Sequence, residues 1–132
     1  MNKKVLISGG VLGILAVLIG AFAAHGLKSI ISIEAIQSFE TGVRYQMYHA
    51  LLLLYVGGSS MLSLKVKKTI FYLVIVGILC FSGSIYGLAT NTLSGFDFKT
   101  IAFITPIGGL FLVGAWIAMI IGFFKFKNFK MN

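Results

Sequence analysis

Carboxylates are scarce in this 132-residue chain, which holds only three: Glu34, Glu40 and Asp97. With a single aspartate, no convincing Ser–His–Asp arrangement can be assembled. None of the three acids sits at the centre of an apolar stretch, where proton-coupled pumps keep theirs, and this weighs against a transporter. Cys80 is the only cysteine, which excludes an internal disulfide and any CxxC motif. It reads as a small packing residue within an apolar stretch. Proline also occurs once, as Pro106. No segment reads as a β-strand, so a strand-borne, glycine-rich phosphate loop is excluded. Tandem repeats and low-complexity tracts are absent as well.

Apolar residues fill the space. They make up 58% of the chain against 11% charged, with a mean hydropathy of +1.01. Val5–Ala24, Tyr45–Leu64 and Ile70–Ala89 are each 20 residues long without Asp, Glu, Lys or Arg, and Ile101–Phe124 adds another 24. At a rise of about 1.5 Å per residue, 20 helical residues cross roughly the 30 Å hydrocarbon core of a bilayer. A soluble domain of this size could not hide that much apolar surface, so lipid is the expected solvent. The sequence predicts an all-α membrane protein, a four-transmembrane-helix bundle. A single integral domain over residues 1–132 would have spans at about 5–24, 43–64, 70–89 and 101–124.

The net charge of +8 is distributed as membrane topology requires, which argues against a nucleic-acid partner. Lys3 and Lys4 precede the first span, Lys65, Lys67 and Lys68 fill the second connection, and Lys125, Lys127 and Lys130 follow the last span. Four crossings put these lysines on one side. The other side carries Lys28, Arg44 and Lys99 with all three acids. This positive-inside bias predicts a multi-pass protein of the cell membrane with both termini cytoplasmic. Membrane lipids are the expected partners, the lysines attracting anionic headgroups. A homo-oligomer or a membrane-protein partner stays open. Met1–Ala24 also fits a secretory signal peptide, with Lys3-Lys4 and an Ala21-Phe22-Ala23 cleavage site. Its apolar run is longer than a usual signal core, and losing it would leave three spans with one terminus stranded. We therefore expect it to be retained as the first span.

Small residues recur at helical spacing: Gly9, Gly13, Ala16, Gly20 and Ala24 in the first span, Gly77, Cys80, Ser84 and Gly87 in the third, Ala115, Ala118 and Gly122 in the fourth. Such stripes let membrane helices approach closely. After the first span, Ser32 is placed to cap a helix starting at Ile33, with Glu34 favourable in its first turn. Ile33, Ile36 and Phe39 against Glu34, Gln37, Ser38 and Thr41 predict a short amphipathic interfacial helix between spans 1 and 2, running on into the second span or bending near Gly42. In the fourth span, Thr105 as N-cap with Pro106 first in the helix is favoured over a helix from Phe98 kinked at the proline.

The one dense polar cluster runs from Phe39 to His49. Glu40 and Arg44 are four apart with the acid first, the favourable order for a helical ion pair. Tyr45 and His49 repeat the spacing on another face. His25, at the outer end of the first span, can meet them, and Tyr86, Asn91 and Thr105 approach from the third and fourth spans. The outer half of the bundle would hold the polar side chains and the inner half Leu, Ile, Val and Phe. The candidate ligand-binding set is therefore His25, Glu40, Arg44, Tyr45, His49, Tyr86 and Thr105, with the Arg44 fork suited to phosphate or carboxylate. The same residues can instead anchor the helix junction and seal the bundle. His25, Glu40 and His49 match no metal-ligand spacing. No catalytic residue, metal or cofactor is assigned.

Gly20-Ala21-Phe22-Ala23-Ala24-His25-Gly26-Leu27 followed by Phe39-Glu40-Thr41-Gly42-Val43-Arg44-Tyr45-Gln46-Met47-Tyr48-His49-Ala50 resembles a family of small bacterial four-span membrane proteins. The family is catalogued as domain of unknown function 423, also as an uncharacterised membrane protein family, and is related to a small eukaryotic transmembrane protein. Phe81-Ser82-Gly83-Ser84 with Tyr86, and Thr105-Pro106-Ile107-Gly108-Gly109 with Trp116, fit the same pattern. Ala23 stands where members commonly have Gly. The resemblance implies a four-span bacterial cell-membrane protein and supplies no activity, substrate or cofactor. The expected function is that of a non-enzymatic membrane protein binding a lipid headgroup, small ligand or partner at its outer face. The alternatives are a small transporter or channel, as an oligomer, and a membrane-embedded enzyme using His25, Glu40 and His49.

Overall fold

The computed structural model of the chain describes residues 1–127. Lys130, counted above with the lysines expected on the cytoplasmic side, lies outside the described residues. Four long helices follow one another: α1 (Asn2–His25), α2 (Ile33–Gly58), α3 (Leu64–Ala89) and α4 (Ile104–Lys125). Three of them, α1, α3 and α4, are long and apolar enough to cross a membrane.

The ends are set by local chemistry. Gly26 closes α1 by donating its N–H to the Phe22 carbonyl. A 3-10 turn (Leu27–Ser29) then drives Leu27 into a small buried cluster with Ala23, Phe39 and Ala89. Ser32 caps α2, its hydroxyl accepting from the Ala35 N–H at 3.1 Å, and Ser63 caps α3 in the same way through the Val66 N–H at 3.2 Å. Each such cap stabilises its helix by about 1 kcal/mol.

One boundary decides between two courses the sequence left open, and two depart from the sequence reading. The stretch 33–42 is not a separate interfacial helix; it takes the other course the sequence allowed and runs on as the first part of a continuous α2, with Gly42 buried against the Tyr86 ring. The apolar stretch Tyr45–Leu64 belongs to two helices, because Gly57, Gly58 and the extended Ser59 end α2 and the Ser63 cap starts α3 at Leu64. Lys65, Lys67 and Lys68 thus lie on the first turns of α3, where Lys67 is 3% exposed and donates to Asn2 Oδ1 at 3.0 Å. Finally, α4 starts at Ile104 with Phe103 as its N-cap, so Thr105 is not the cap and Pro106 is the third helical residue. First-turn N–H groups have no intrahelical acceptor, so proline costs no hydrogen bond there. Residues 98–101 form a separate 3-10 turn rather than a kinked extension.

Chain neighbours pack on one another, α1 on α2, α2 on α3 and α3 on α4, with α1 touching α3 lightly. The buried positions alternate three and four residues apart, as in Phe39, Gly42, Gln46, His49, Leu53 and Val56 of α2, or Gly108, Leu112, Ala115, Met119 and Gly122 of α4. That rhythm is the seam of left-handed bundle packing. Small residues set the closest approaches. A Cβ on Gly108 would lie 2.8 Å from Cys80 Cβ, and one on Gly9 would lie 2.9 Å from the Ala50 carbonyl oxygen. Of the first-span stripe, Gly9 and Ala16 are buried and Gly13 and Gly20 half-buried, but Ala24 is exposed and Ala23 takes its place. The main core joins Val5, Leu53, Val56, Ile70, Val74, Leu112 and Ala115 from all four helices. Opposite it, Ile14, Val17 and Leu18 of α1 and Leu110, Val113 and Ile117 of α4 are exposed. An outer surface this apolar suits lipid and not water.

Candidate functional site

Polar side chains enter the bundle mainly from α2 and α3, and each bridges to another helix. Gln46, 3% exposed, donates from Nε2 to the Leu12 carbonyl at 3.0 Å, and its Oε1 accepts from the Tyr86 hydroxyl at 2.7 Å. One amide thus ties α1, α2 and α3. Ser82 donates to the Gly42 carbonyl at 2.7 Å, and the Ser84 and Thr105 hydroxyls bond each other across α3 and α4. Phe39 lies on the Tyr86 ring with centroids 4.8 Å apart.

His49 completes the layer. Trp116 Nε1 can only donate, so at 3.1 Å it makes His49 Nε2 an acceptor. The neutral ring then carries its proton on Nδ1, which donates to the Tyr45 carbonyl at 2.7 Å. Both ring nitrogens are used, and the ring is 3% exposed. This pair sits near the middle of α2 and of α4, so the polar groups are not confined to the outer half of the bundle. Among the described residues, no buried side-chain nitrogen or oxygen lacks a hydrogen-bond partner.

The expected site residues divide accordingly. Tyr86, Thr105 and His49 belong to the interhelical layer. Tyr45 is exposed, its ring against Phe81, 5.0 Å between centroids, and stacked near His49. Glu40, Arg44 and His25 are exposed and outside the layer. Arg44 Nη2 donates to Thr41 Oγ1 at 2.9 Å in place of the expected ion pair with Glu40. His25, the last residue of α1, does not join the His49 hydrogen bonds. Asn91 serves its own loop: its Oδ1 accepts from the Phe98 N–H at 2.7 Å and its Nδ2 donates to Asp97 Oδ1 at 3.1 Å. The Lys99 backbone N–H, with the Asn91 amide beside it, holds the Asp97 carboxyl below the usual carboxylate range. His, Cys, Asp and Glu side chains do not gather in threes among the described residues.

Gln46, Ser82, Ser84 and Trp116 were not among the expected site residues. For Gln46 a signal existed: it falls on the same three-and-four stripe as Phe39, Gly42 and His49, which marks it as inward-facing.

Long apolar helices, lipid-suited outer faces and an internally bonded polar layer define a small helical membrane protein. The chain belongs to the family described as Protein of unknown function (DUF423), whose model matches residues 19–109. That match takes in every residue of the polar layer but Leu12 and Trp116. The chain is 40% identical over 129 residues to a UPF0382 membrane protein of Haemophilus influenzae, covering 97% of this chain and 99% of the relative. It is 39% identical over 127 residues to one of Staphylococcus aureus (96% and 99%) and 36% identical over 126 residues to one of Bacillus subtilis (94% and 98%). No solved structure matches.

Proposed function

We propose that this chain is a non-enzymatic, four-span protein of the bacterial cell membrane, with both termini cytoplasmic, that works by contact and not by chemistry or conduction. The observation that carries this reading is the mutual satisfaction of Gln46, His49, Ser82, Ser84, Tyr86, Thr105 and Trp116. Groups that bond one another across helices hold a bundle shut. An active site or a pore would instead keep polar groups aimed into a cavity.

Support for a fourth span comes from α2 itself. Its polarity is concentrated in its first turns, at Glu34, Gln37, Glu40 and Arg44; beyond Arg44, Gln46 and His49 face inward and are bonded, while Tyr48, Leu51, Leu54 and Tyr55 face outward. A helix packed along its length between α1 and α3 shares their depth. Its first turns, with Glu34 and Gln37, then extend to the outer interface. Arg44, Glu40 and His25 are the groups left to meet a lipid headgroup, small ligand or partner at the outer end, with Arg44 the natural anion donor.

The alternative of a small transporter or channel is weakened by the apolar core at the lysine-rich end. Flux from proteoliposomes tests it. Vesicles holding a potassium or a pH gradient should leak no faster with the protein than without. Protein-dependent flux, abolished by His49→Ala, would overturn the contact reading.

A further inference from the structure

At the lysine-rich end of the bundle, two adjoining hollows of about 330 Å³ each lie between the start of α3 and the end of α4, sharing Ser63, Val66 and Lys125. Lys65, Lys125 and Lys127 supply three ammonium groups around them, and Ser60, Ser63 and Thr69 add hydroxyls. No carboxylate lines either hollow, and the chain's three acids sit past the far end of the bundle, on the first turns of α2 or in the α3–α4 connection. Among the described residues, this positive charge therefore has no carboxylate partner.

The polar groups are arranged for an anion. Ser63 Oγ uses a lone pair to accept from the Val66 N–H, which leaves its own hydroxyl proton to donate. The Leu64 and Lys65 N–H groups are first-turn donors without intrahelical acceptors, and the positive end of the α3 dipole adds to the field. The second hollow is floored by Ala118 and Ile121 of α4, and Ile121 is exposed to the apolar surroundings. A basic, hydroxyl-lined rim thus opens directly onto an apolar furrow.

We propose that these hollows form a binding site for one anionic phospholipid, its phosphate held by Lys65, Lys125 and Ser63 and its acyl chain laid along Ala118 and Ile121. The continuity of rim and furrow favours a phospholipid over free phosphate, which would leave the apolar floor bare. A site of this kind goes beyond the diffuse attraction of surface lysines, because position and not only charge decides the occupant. It is independent of the outer-end reading above and of which leaflet the lysines face.

Native mass spectrometry of the full chain from detergent tests it, with phosphatidylglycerol, phosphatidylcholine and inorganic phosphate as probes. The wild type should retain one phosphatidylglycerol in preference to phosphatidylcholine. Lys65→Gln with Lys125→Gln should weaken that adduct about tenfold or more. Lys3→Gln with Lys68→Gln removes the same charge from the same end but outside the hollows, and should change it less than about twofold. Inorganic phosphate at millimolar concentration should not compete. Circular dichroism melting of both double variants separates lost binding from lost folding, and Thr69→Trp, which crowds the hollow without removing charge, should weaken the adduct as well. Equal losses in the two double variants, equal retention of phosphatidylcholine, displacement by phosphate, or an unaffected Thr69→Trp would each overturn the proposal.

Discussion

Trp116 on α4 donates its indole N–H to His49 Nε2 on α2 at 3.1 Å, although α3 separates these helices in the chain. The two helices meet again nearer their ends, where Tyr55 and Phe123 pair edge to face with centroids 6.3 Å apart. Long aromatic side chains thus bridge two helices whose backbones stay apart, and the hydrogen bond fixes which faces meet.

Removing either partner should destabilise the bundle, and removing both should cost less than the sum. For Trp116→Phe and His49→Ala, a double-mutant cycle in detergent should give a coupling energy of about 0.5–2 kcal/mol, the range of buried bonds between membrane helices. Denaturant unfolding followed by circular dichroism measures it. Strict additivity would mean the two side chains do not meet. Trp116 is the only tryptophan, so wild-type fluorescence reports on this contact alone.

Glycine substitutions should sort by what a Cβ would strike. Gly9→Ala and Gly108→Ala push a methyl against a neighbouring helix backbone and should cost about 1–3 kcal/mol. Gly13→Ala meets only Ala50 Cβ at 3.9 Å, an ordinary contact, and should leave the melting temperature nearly unchanged. Uniform effects across the three would refute these packing faces.

These two sets of residues show what was legible in the sequence. Ser32 as the cap of α2 followed from local chemistry, and its hydroxyl does accept from the Ala35 N–H. The start of α3 did not follow, because Leu64 reads as apolar span whether it ends one helix or begins the next, and only the Ser63 cap distinguishes them. The Glu40–Arg44 pair was expected from spacing alone. Thr41, one turn from Arg44, competes for the same guanidinium, and spacing cannot rank the two. Trp116 was invisible as a partner of His49 because its register depends on how α4 docks on α3. That docking is fixed by Gly77 and Gly108, where the Cβ positions would collide with Leu112 and Cys80.

Topology is open to direct labelling. In a Cys80→Ala background, cysteine at Lys68 should resist an impermeant thiol reagent in intact cells, and cysteine at Ser94 should react; both positions are exposed. Lys67 is unsuitable as a probe because it is buried against Asn2. Reversed labelling would invert the orientation, and labelling at both would refute four crossings.

Acid should loosen the α3–α4 connection. The Asp97 carboxyl is stabilised as the anion by the Lys99 N–H and Asn91, so its folded pKa lies below its unfolded value of about 3.9. The stabilisation is therefore fully present above that unfolded value and is lost as pH falls through the lower folded one. Wild type should melt higher than Asp97→Ala at pH 7, and the gap should close on acidification below about pH 4. A gap independent of pH would mean the carboxylate's charge does not matter.

The outer end separates a ligand contact from a structural junction. Arg44 is exposed and uses Nη2 on Thr41, which leaves most of its guanidinium donors available. His49, by contrast, has both ring nitrogens engaged within the bundle. If the outer end takes an anion, Arg44→Ala should remove the adduct, and Glu40→Ala should keep or strengthen it by lifting a nearby negative charge. Thr41→Val, which frees the guanidinium from its tether, should weaken the adduct less than Arg44→Ala does. His49→Ala should lower stability without moving the adduct. Native mass spectrometry with phospholipid and small-anion probes reads all four, and a background of Lys65→Gln with Lys125→Gln keeps adducts at the opposite end out of the count. If the adduct patterns match across wild type and every variant, Arg44 and Glu40 are solvated ends of a helix and the outer face binds nothing.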